Sequence, residues 1–318
     1  MSIGIYCGRD IEEHQSYHWL VDAIKESLLE LDASLEFQVW PNIEKPNEIE
    51  CALAWLAAPG VFQQLPNLKA IFSLGAGVDH ILNDTTVPTT VSVTRIQDRH
   101  MARDMMHYAV NAVLNITCRS EHWRRNQVRA VWAKKPPFNY ADKVVGVMGL
   151  GFLGSFIAKK LAELEFKVLG WSRSKKTIKG VLAYEGTGQY EAFLNQVDIL
   201  ICVLPLTEAT KGILNESLFA KLRDGAYLVN IARGALLIEQ DLLMMLASEK
   251  LAGAYLDVFQ AEPLATGHPF WRHPKVTVTP HIAAVTNPQT VAKQVYANFQ
   301  RLLRAEPMQN CVDRVRGY

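Results

Sequence analysis

Short runs of apolar, often β-branched residues alternate along this chain with longer segments in which apolar positions return every three or four residues. Runs of the first kind suit strands buried on both faces, and segments of the second kind suit helices that cover them, so the alternation predicts βαβ units around a parallel sheet. The pattern occurs twice. In the first series strands are expected over residues 3–7, 35–40, 52–56, 70–74 and 91–94, with a helix over 15–31 between the first two. A long helix follows over 102–125, its apolar face marked by Met105, Ala109, Ala112, Val113 and Ile116, and it reads as a connector or interface helix. The polar stretch 133–142, with Pro136 and Pro137, ends it, because proline lacks a backbone donor and restricts the residue before it. A second series places strands over 144–148, 168–171, 199–204, 227–231, 253–256 and 276–279, six in all. The last helix, over 288–303, is expected to leave the second sheet and pack on the first.

These elements divide the chain into residues 1–100 with 286–318, a discontinuous domain, and residues 101–285, which include the 102–125 helix. The predicted class is α/β, two Rossmann-like doubly wound parallel-sheet domains with a cleft between them, and 318 residues are enough for two cores. Hydrophobic residues make up 49% and charged residues 20%, a globular balance. Lys plus Arg number 33 against 32 Asp plus Glu, so no overall field gathers nucleic acid or an anionic membrane, and the local basic run Arg124, Arg125 and Arg129 reads as a solvated helix end. Cys7, Cys51, Cys118, Cys202 and Cys311 are scattered, with no paired spacing, which argues against a disulfide framework and for a reducing compartment. No apolar run approaches the ~18 residues of a membrane span, and the N-terminal segment does not read as a secretory signal. A cytoplasmic location is expected. His14 and His18 stand four residues apart without a third ligand, so no metal site is expected.

The string from Val144 to Gly154 joins a buried-strand run to G-x-G-x-x-G and then to a helical segment. Gly149 permits the tight turn, Gly151 lets backbone approach a pyrophosphate, and Gly154 lets helix lie close to strand; Phe152 and Leu153 open the helix whose N–H groups face the phosphates. In a site that prefers NAD, an acidic residue after the next strand accepts bonds from the ribose 2′-hydroxyl. Here that position reads Ser172-Arg173-Ser174. A carboxylate there would repel a 2′-phosphate, whereas Arg173 can bind one with two parallel bonds and the serines can donate hydroxyl bonds, so NADP(H) is the expected cofactor.

Ligands of open α/β sheets lie beyond the carboxyl ends of the strands. Three ionisable residues fall there: Arg233, Glu262 and His281. Taken singly, each suits a structural place; together behind a dinucleotide turn they suit reduction of a 2-oxo acid. Arg233 can grip the substrate carboxylate and polarise the ketone, His281 can deliver a proton to the carbonyl oxygen, and Glu262 can hold the imidazole tautomer.

With those residues, the chain resembles the D-isomer-specific 2-hydroxyacid dehydrogenase family over nearly its whole length, and within it the branch acting on glyoxylate and hydroxypyruvate. The marks are Gly75-Ala76-Gly77-Val78-Asp79, the turn Gly149 to Gly154, Leu204-Pro205-Leu206-Thr207, Asn230 to Gly234, Leu256 to Phe259, Glu262-Pro263-Leu264, Pro280 to Ala284, and the ending from Val312 to Tyr318. The resemblance implies an Arg233, Glu262 and His281 site, cofactor contacts from Leu204 and Pro205, and a contact from Asp257 to the nicotinamide amide. It also implies a substrate-carboxylate cradle at Gly75, Ala76 and Gly77, and a homodimer built through the long helix. Trp55 is a candidate for narrowing the pocket toward substrates of two or three carbons. A bulkier 2-oxo acid substrate is the alternative within enzymes; a dinucleotide-sensing corepressor is the alternative outside them, and it has no use for the three ionisable groups together.

Overall fold

The computed structural model describes residues 2–134 and 142–318. Pro136 and Pro137, assigned to the end of the long helix, lie outside the described residues. The chain forms two compact units, Met1–Arg99 with Thr286–Tyr318, and His100–Val285.

In the first unit the elements run β1 (Ser2–Cys7), α1 (Ile11–Ser16), α2 (His18–Leu31), β2 (Glu36–Val39), β3 (Ile49–Trp55), β4 (Ala70–Ser73), α3 (Asp79–Leu82) and β5 (Ser92–Thr94). All pairings are parallel, in the order β2-β1-β3-β4-β5. The single helix expected over 15–31 is two. Asp10 caps the first by accepting from Glu13 N–H at 2.8 Å, and buried His14 bonds through Nδ1 to the Cys7 carbonyl at 2.8 Å, so a tertiary contact anchors a turn that begins before the apolar period does.

The second unit holds α4 (Arg99–Thr117, of which Arg99 falls in the first unit), α5 (Ser120–Val128), β6 (Val144–Met148), α6 (Phe152–Glu163), β7 (Lys167–Ser172), β8 (Val181–Glu185), α7 (Tyr190–Leu194), β9 (Ile199–Cys202), α8 (Glu216–Lys221), β10 (Ala226–Asn230), α9 (Glu239–Ala247), β11 (Leu251–Leu256) and β12 (Val276–Val278). Its sheet has seven parallel strands, not six, in the order β12-β11-β10-β9-β6-β7-β8. The added strand is β8, an edge strand whose residues are only partly covered, with Leu182 exposed, so it lacks the continuous apolar run of a central strand. β9 shows the central pattern: Ile199 and Ile201 enter one core with α4 and α6, while Leu200 and Cys202 enter the opposite core with α7, α8 and α9. Each such fully buried aliphatic side chain stabilises the unit by about 1.5–3 kcal/mol.

The helix expected over 102–125 also divides. Arg119 takes a left-handed φ of 55°, the Thr117 hydroxyl bonds back to the Val113 carbonyl at 2.9 Å, and the Trp123 indole N–H takes up the Cys118 carbonyl at 2.9 Å. The Trp123 indole thus satisfies one of the carbonyls that the break releases. The apolar stripe from Met105 to Ile116 packs within this unit, against the seven-stranded sheet. The chain ends with α10 (Pro288–Leu303), whose Val291, Ala292, Val295 and Phe299 join Leu20, Val21, Ile24 and Leu28 of α2 in the core of the first unit.

Candidate active site

Because every strand of the second unit is parallel, all its carboxyl ends open on one edge, and the predicted residues are delivered there by successive strands. β6 leads to Gly149, β7 ends at Ser172, β9 leads to Leu204, β10 to Arg233, β11 to Asp257 and β12 to His281. The order reverses direction between β9 and β6, the switch point at which open α/β sheets leave a crevice.

The glycine turn is formed by backbone. Gly151 is the N-cap of α6, with no side-chain cap and no acidic residue in the first turn, so the N–H groups of Phe152, Leu153 and Gly154 begin the helix without an internal acceptor. A Cβ on Gly154 would lie 1.8 Å from the Gly149 carbonyl oxygen, whereas one on Gly151 would meet nothing within 4 Å. The turn is closed on the protein side and open on the other. Val203 N–H donates to the Met148 carbonyl at 2.9 Å, which sets Leu204 and Pro205 beside it. After β7, buried Ser172 directs its hydroxyl to the Ser174 carbonyl at 2.7 Å, shaping the bend, while Arg173 and Ser174 stand exposed. An anion at α6 and a phosphate beside Arg173 both fit these donors.

At the other end of the edge, His281 Nδ1 lies 2.7 Å from Glu262 Oε2, and Glu262 Oε1 accepts from Phe259 N–H at 2.9 Å. Burial alone would raise the Glu262 carboxyl. The hydrogen bond and charge of His281, the Phe259 amide and the charge of Arg233 outweigh it and hold the group below the ordinary carboxylate range. An ionised carboxylate can only accept, so Nδ1 carries the hydrogen and Nε2 is the nitrogen left for other chemistry. Arg233 donates from Nη1 to the Ala232 carbonyl at 2.8 Å, and fully buried Asn230 clamps the same loop, donating to the Arg233 carbonyl at 3.0 Å and accepting from Ala232 N–H at 3.2 Å. The next residue joins the two loops. A Cβ on Gly234 would sit 1.8 Å from the Phe259 carbonyl carbon, so only glycine lets the Arg233 loop lie on the segment that carries Glu262.

His281 has a φ of 55°, a left-handed conformation that costs a non-glycine residue about 1–2 kcal/mol. Asp257 holds it there. The Asp257 carbonyl accepts from His281 N–H at 2.8 Å, Oδ1 accepts from Ile282 N–H at 2.9 Å and from the Thr279 hydroxyl at 2.6 Å, and Oδ2 accepts from Ala283 N–H at 2.8 Å. Asp257 is fully buried, so its carboxylate serves this loop, a task that the expected nicotinamide contact did not anticipate.

Residues 110–283 match the family model described as D-isomer specific 2-hydroxyacid dehydrogenase, NAD binding domain. A glyoxylate/hydroxypyruvate reductase A from Serratia proteamaculans (strain 568) is 42% identical over 289 residues, which cover 89% of this chain and 92% of that relative. The chain belongs to the D-isomer-specific 2-hydroxyacid dehydrogenase family. Among solved structures, a D-isomer specific 2-hydroxyacid dehydrogenase from Xanthobacter autotrophicus Py2, in complex with NADPH and MES, matches at a TM-score of 0.91 and 35% identity, over 100% of this chain and 99% of that one. An NADPH-dependent glyoxylate/hydroxypyruvate reductase from Sinorhizobium meliloti, in complex with NADP and sulfate, matches at 0.90 and 34%, over the full length of both.

In this 2-hydroxyacid dehydrogenase the first unit carries its own strand-end turn. Trp55 ends β3, and its ring packs on Gly75, where a Cβ would lie 2.3 Å from a ring carbon. The Ser73 hydroxyl donates to the Gly77 carbonyl at 2.9 Å and accepts from Gly75 N–H at 3.3 Å, which curls the Gly75–Ala76–Gly77 segment back on β4. Sequence reasoning had not singled out Asn230, Thr279 or Tyr108 as site residues. The position of Thr279, two residues before His281, is the signal that could have found one of them.

Proposed function

We propose that the chain is an NADPH-dependent reductase of small 2-oxo acids, converting glyoxylate and hydroxypyruvate to the 2-hydroxy acids. The observation that carries this reading is the 2.7 Å pair between His281 Nδ1 and Glu262, beside Arg233, on the sheet edge that also bears the glycine turn. When bound, the cofactor supplies a hydride to the carbonyl carbon. The first turn of α6, from Phe152 to Gly154, holds its phosphates, with Leu204 and Pro205 alongside, and Arg173 with Ser174 binds the 2′-phosphate. Arg233 binds the substrate carboxylate through its fork of donors and draws charge from the ketone oxygen. His281 gives its Nε2 proton to that oxygen while Glu262 keeps the ring oriented and balances its charge.

In the first unit, the Gly75–Ala76–Gly77 turn, with Gly75 N–H spent on Ser73, offers backbone N–H groups at Ala76 and Gly77 of the kind that cradle a carboxylate, and the Trp55 ring packed on Gly75 restricts the space beside it. A sensor of dinucleotides would need the glycine turn but not a histidine held by a carboxylate. A cytoplasmic homodimer is the assembly we propose. The five free cysteines suit a reducing compartment, and exposed Leu114, Trp123, Val128 and Trp132 along and after α4 and α5 suit a subunit contact. Among the described residues no helix is long and apolar enough to cross a membrane.

The test is a panel of 2-oxo acids assayed by nicotinamide absorbance with NADPH and with NADH. The expected result is NADPH oxidation fastest with glyoxylate or hydroxypyruvate. Preference for NADH, or for phenylpyruvate or a branched 2-oxo acid, overturns the corresponding half of the proposal.

A further inference from the structure

The Thr279 hydroxyl, just after β12, lies between two oxygens: 2.6 Å from Asp257 Oδ1, to which it donates, and 2.7 Å from the phenol of Tyr108 on α4. A hydroxyl has one hydrogen to give. Since that of Thr279 goes to Asp257, Tyr108 is the donor in the second contact, and the bonds run in one direction from Tyr108 through Thr279 to Asp257. Burial pushes the Tyr108 phenol up to about 12, so it keeps its donor hydrogen throughout the working pH range of an enzyme. At the far end of this relay, the Asp257 carboxylate binds the amides of Ile282 and Ala283, while the Asp257 main-chain carbonyl accepts from His281 N–H, and together these bonds hold the left-handed turn under the imidazole.

We infer that Tyr108 is a positioning residue for His281: its hydroxyl, presented by α4, fixes the Thr279 hydroxyl on Asp257 and thereby the backbone turn that aims the imidazole. The inference rests on the reading of His281 as the proton donor. A left-handed histidine persists only while its surroundings over-determine it, and this relay is what ties the turn to a helix packed on the face of the sheet. Without the phenol, Thr279 is free to rotate away from Asp257, and one bond of the clamp becomes intermittent.

Tyr108→Phe keeps the ring and removes only the donor. In the free protein, amide hydrogen exchange at His281, Ile282 and Ala283 is expected to quicken by roughly 3- to 10-fold, the span set by one net hydrogen bond, with exchange in β6 unchanged. Turnover should fall by a similar ~3- to 10-fold, with KM for NADPH within about twofold of wild type. Thr279→Val should reproduce both effects and Thr279→Ser should restore both. Unchanged exchange at the three amides, or quickening spread evenly over the whole sheet, overturns the inference. His281→Ala separates the two readings. Full activity in that variant removes the proton-donor assignment and the inference with it, whereas lost activity there beside an inert Tyr108→Phe removes the inference alone.

Discussion

The glycine turn after β6 and the corner formed by Arg233, Glu262 and His281 lie along the same sheet edge, yet one is made of backbone and the other of side chains. Around Gly149–Gly154 the donors belong to the first turn of a helix, and what matters is the space that missing side chains leave. Around His281 each group is fixed by another: Glu262 by Phe259, the His281 loop by Asp257, the Arg233 loop by Asn230. The first kind of site is a local property of a dozen consecutive residues. The second is assembled from three strands and exists only when the sheet does. Absent Cβ atoms are needed in both, at Gly149 and Gly154 in the turn and at Gly234 in the corner.

If this division is right, damage at the corner should appear in turnover and damage at the turn in cofactor affinity. The largest effect is expected from His281→Ala, which removes the proposed proton donor and lowers kcat by roughly 10²–10⁴ with NADPH affinity nearly intact. Steady-state rates beside fluorescence titration of NADPH check it, and a near-wild-type rate removes His281 from the chemistry. A paired substitution sharpens the contrast. Gly154→Ala should weaken NADPH by about 10- to 100-fold, the equivalent of ~1–3 kcal/mol of overpacking, whereas Gly234→Ala should lower kcat by a comparable factor while sparing NADPH affinity. Should both variants lose cofactor equally, the two regions are not separable.

The same contrast explains how much was readable before the fold was known. Strands buried on both faces, such as β6, β9 and β10, announce themselves as apolar runs, and the glycine turn announces itself by spacing. Arg233, Glu262 and His281 were reachable because each stands just beyond a strand. The supports were not. Tyr108 and Thr279 are 171 residues apart, and nothing near Tyr108 marks it as a partner of the His281 loop. β8 escaped because an edge strand does not need a continuous apolar run, and the break at Arg119 escaped because no glycine or proline produces it; the indole of Trp123 does part of that work from outside the turn. At Ser172 the residue type points to a ligand donor, and spacing alone does not show the local bond its hydroxyl makes to the Ser174 carbonyl.

Arg173 tests the backbone region by its one side-chain extension. Arg173→Ala should weaken NADPH by about 10-fold, as expected for loss of a charge-assisted pair on an exposed bend, and leave NADH nearly unchanged. Equal losses for both cofactors would assign Arg173 to the shape of the bend rather than to the 2′-phosphate.

The smallest effect belongs to the side-chain corner and is read in stability. Glu262 is held below the ordinary carboxylate range in the folded chain, so the stabilisation it gives is fully present above its unfolded pKa and is lost as pH falls through the depressed folded value. In Glu262→Gln one amide oxygen can still accept from His281 Nδ1, but the amide NH2 then faces Phe259 N–H, donor against donor. The variant should therefore melt lower near neutral pH by roughly 2–4 °C, for a loss of about 1 kcal/mol in a unit of this size, and the difference should shrink as the pH is taken below the usual carboxylate range. Thermal melts of both proteins across the acid limb measure it. A difference that stays constant down that limb would mean that the charge of Glu262 contributes nothing and that only its shape does, in which case the corner, like the glycine turn, is held by fit alone.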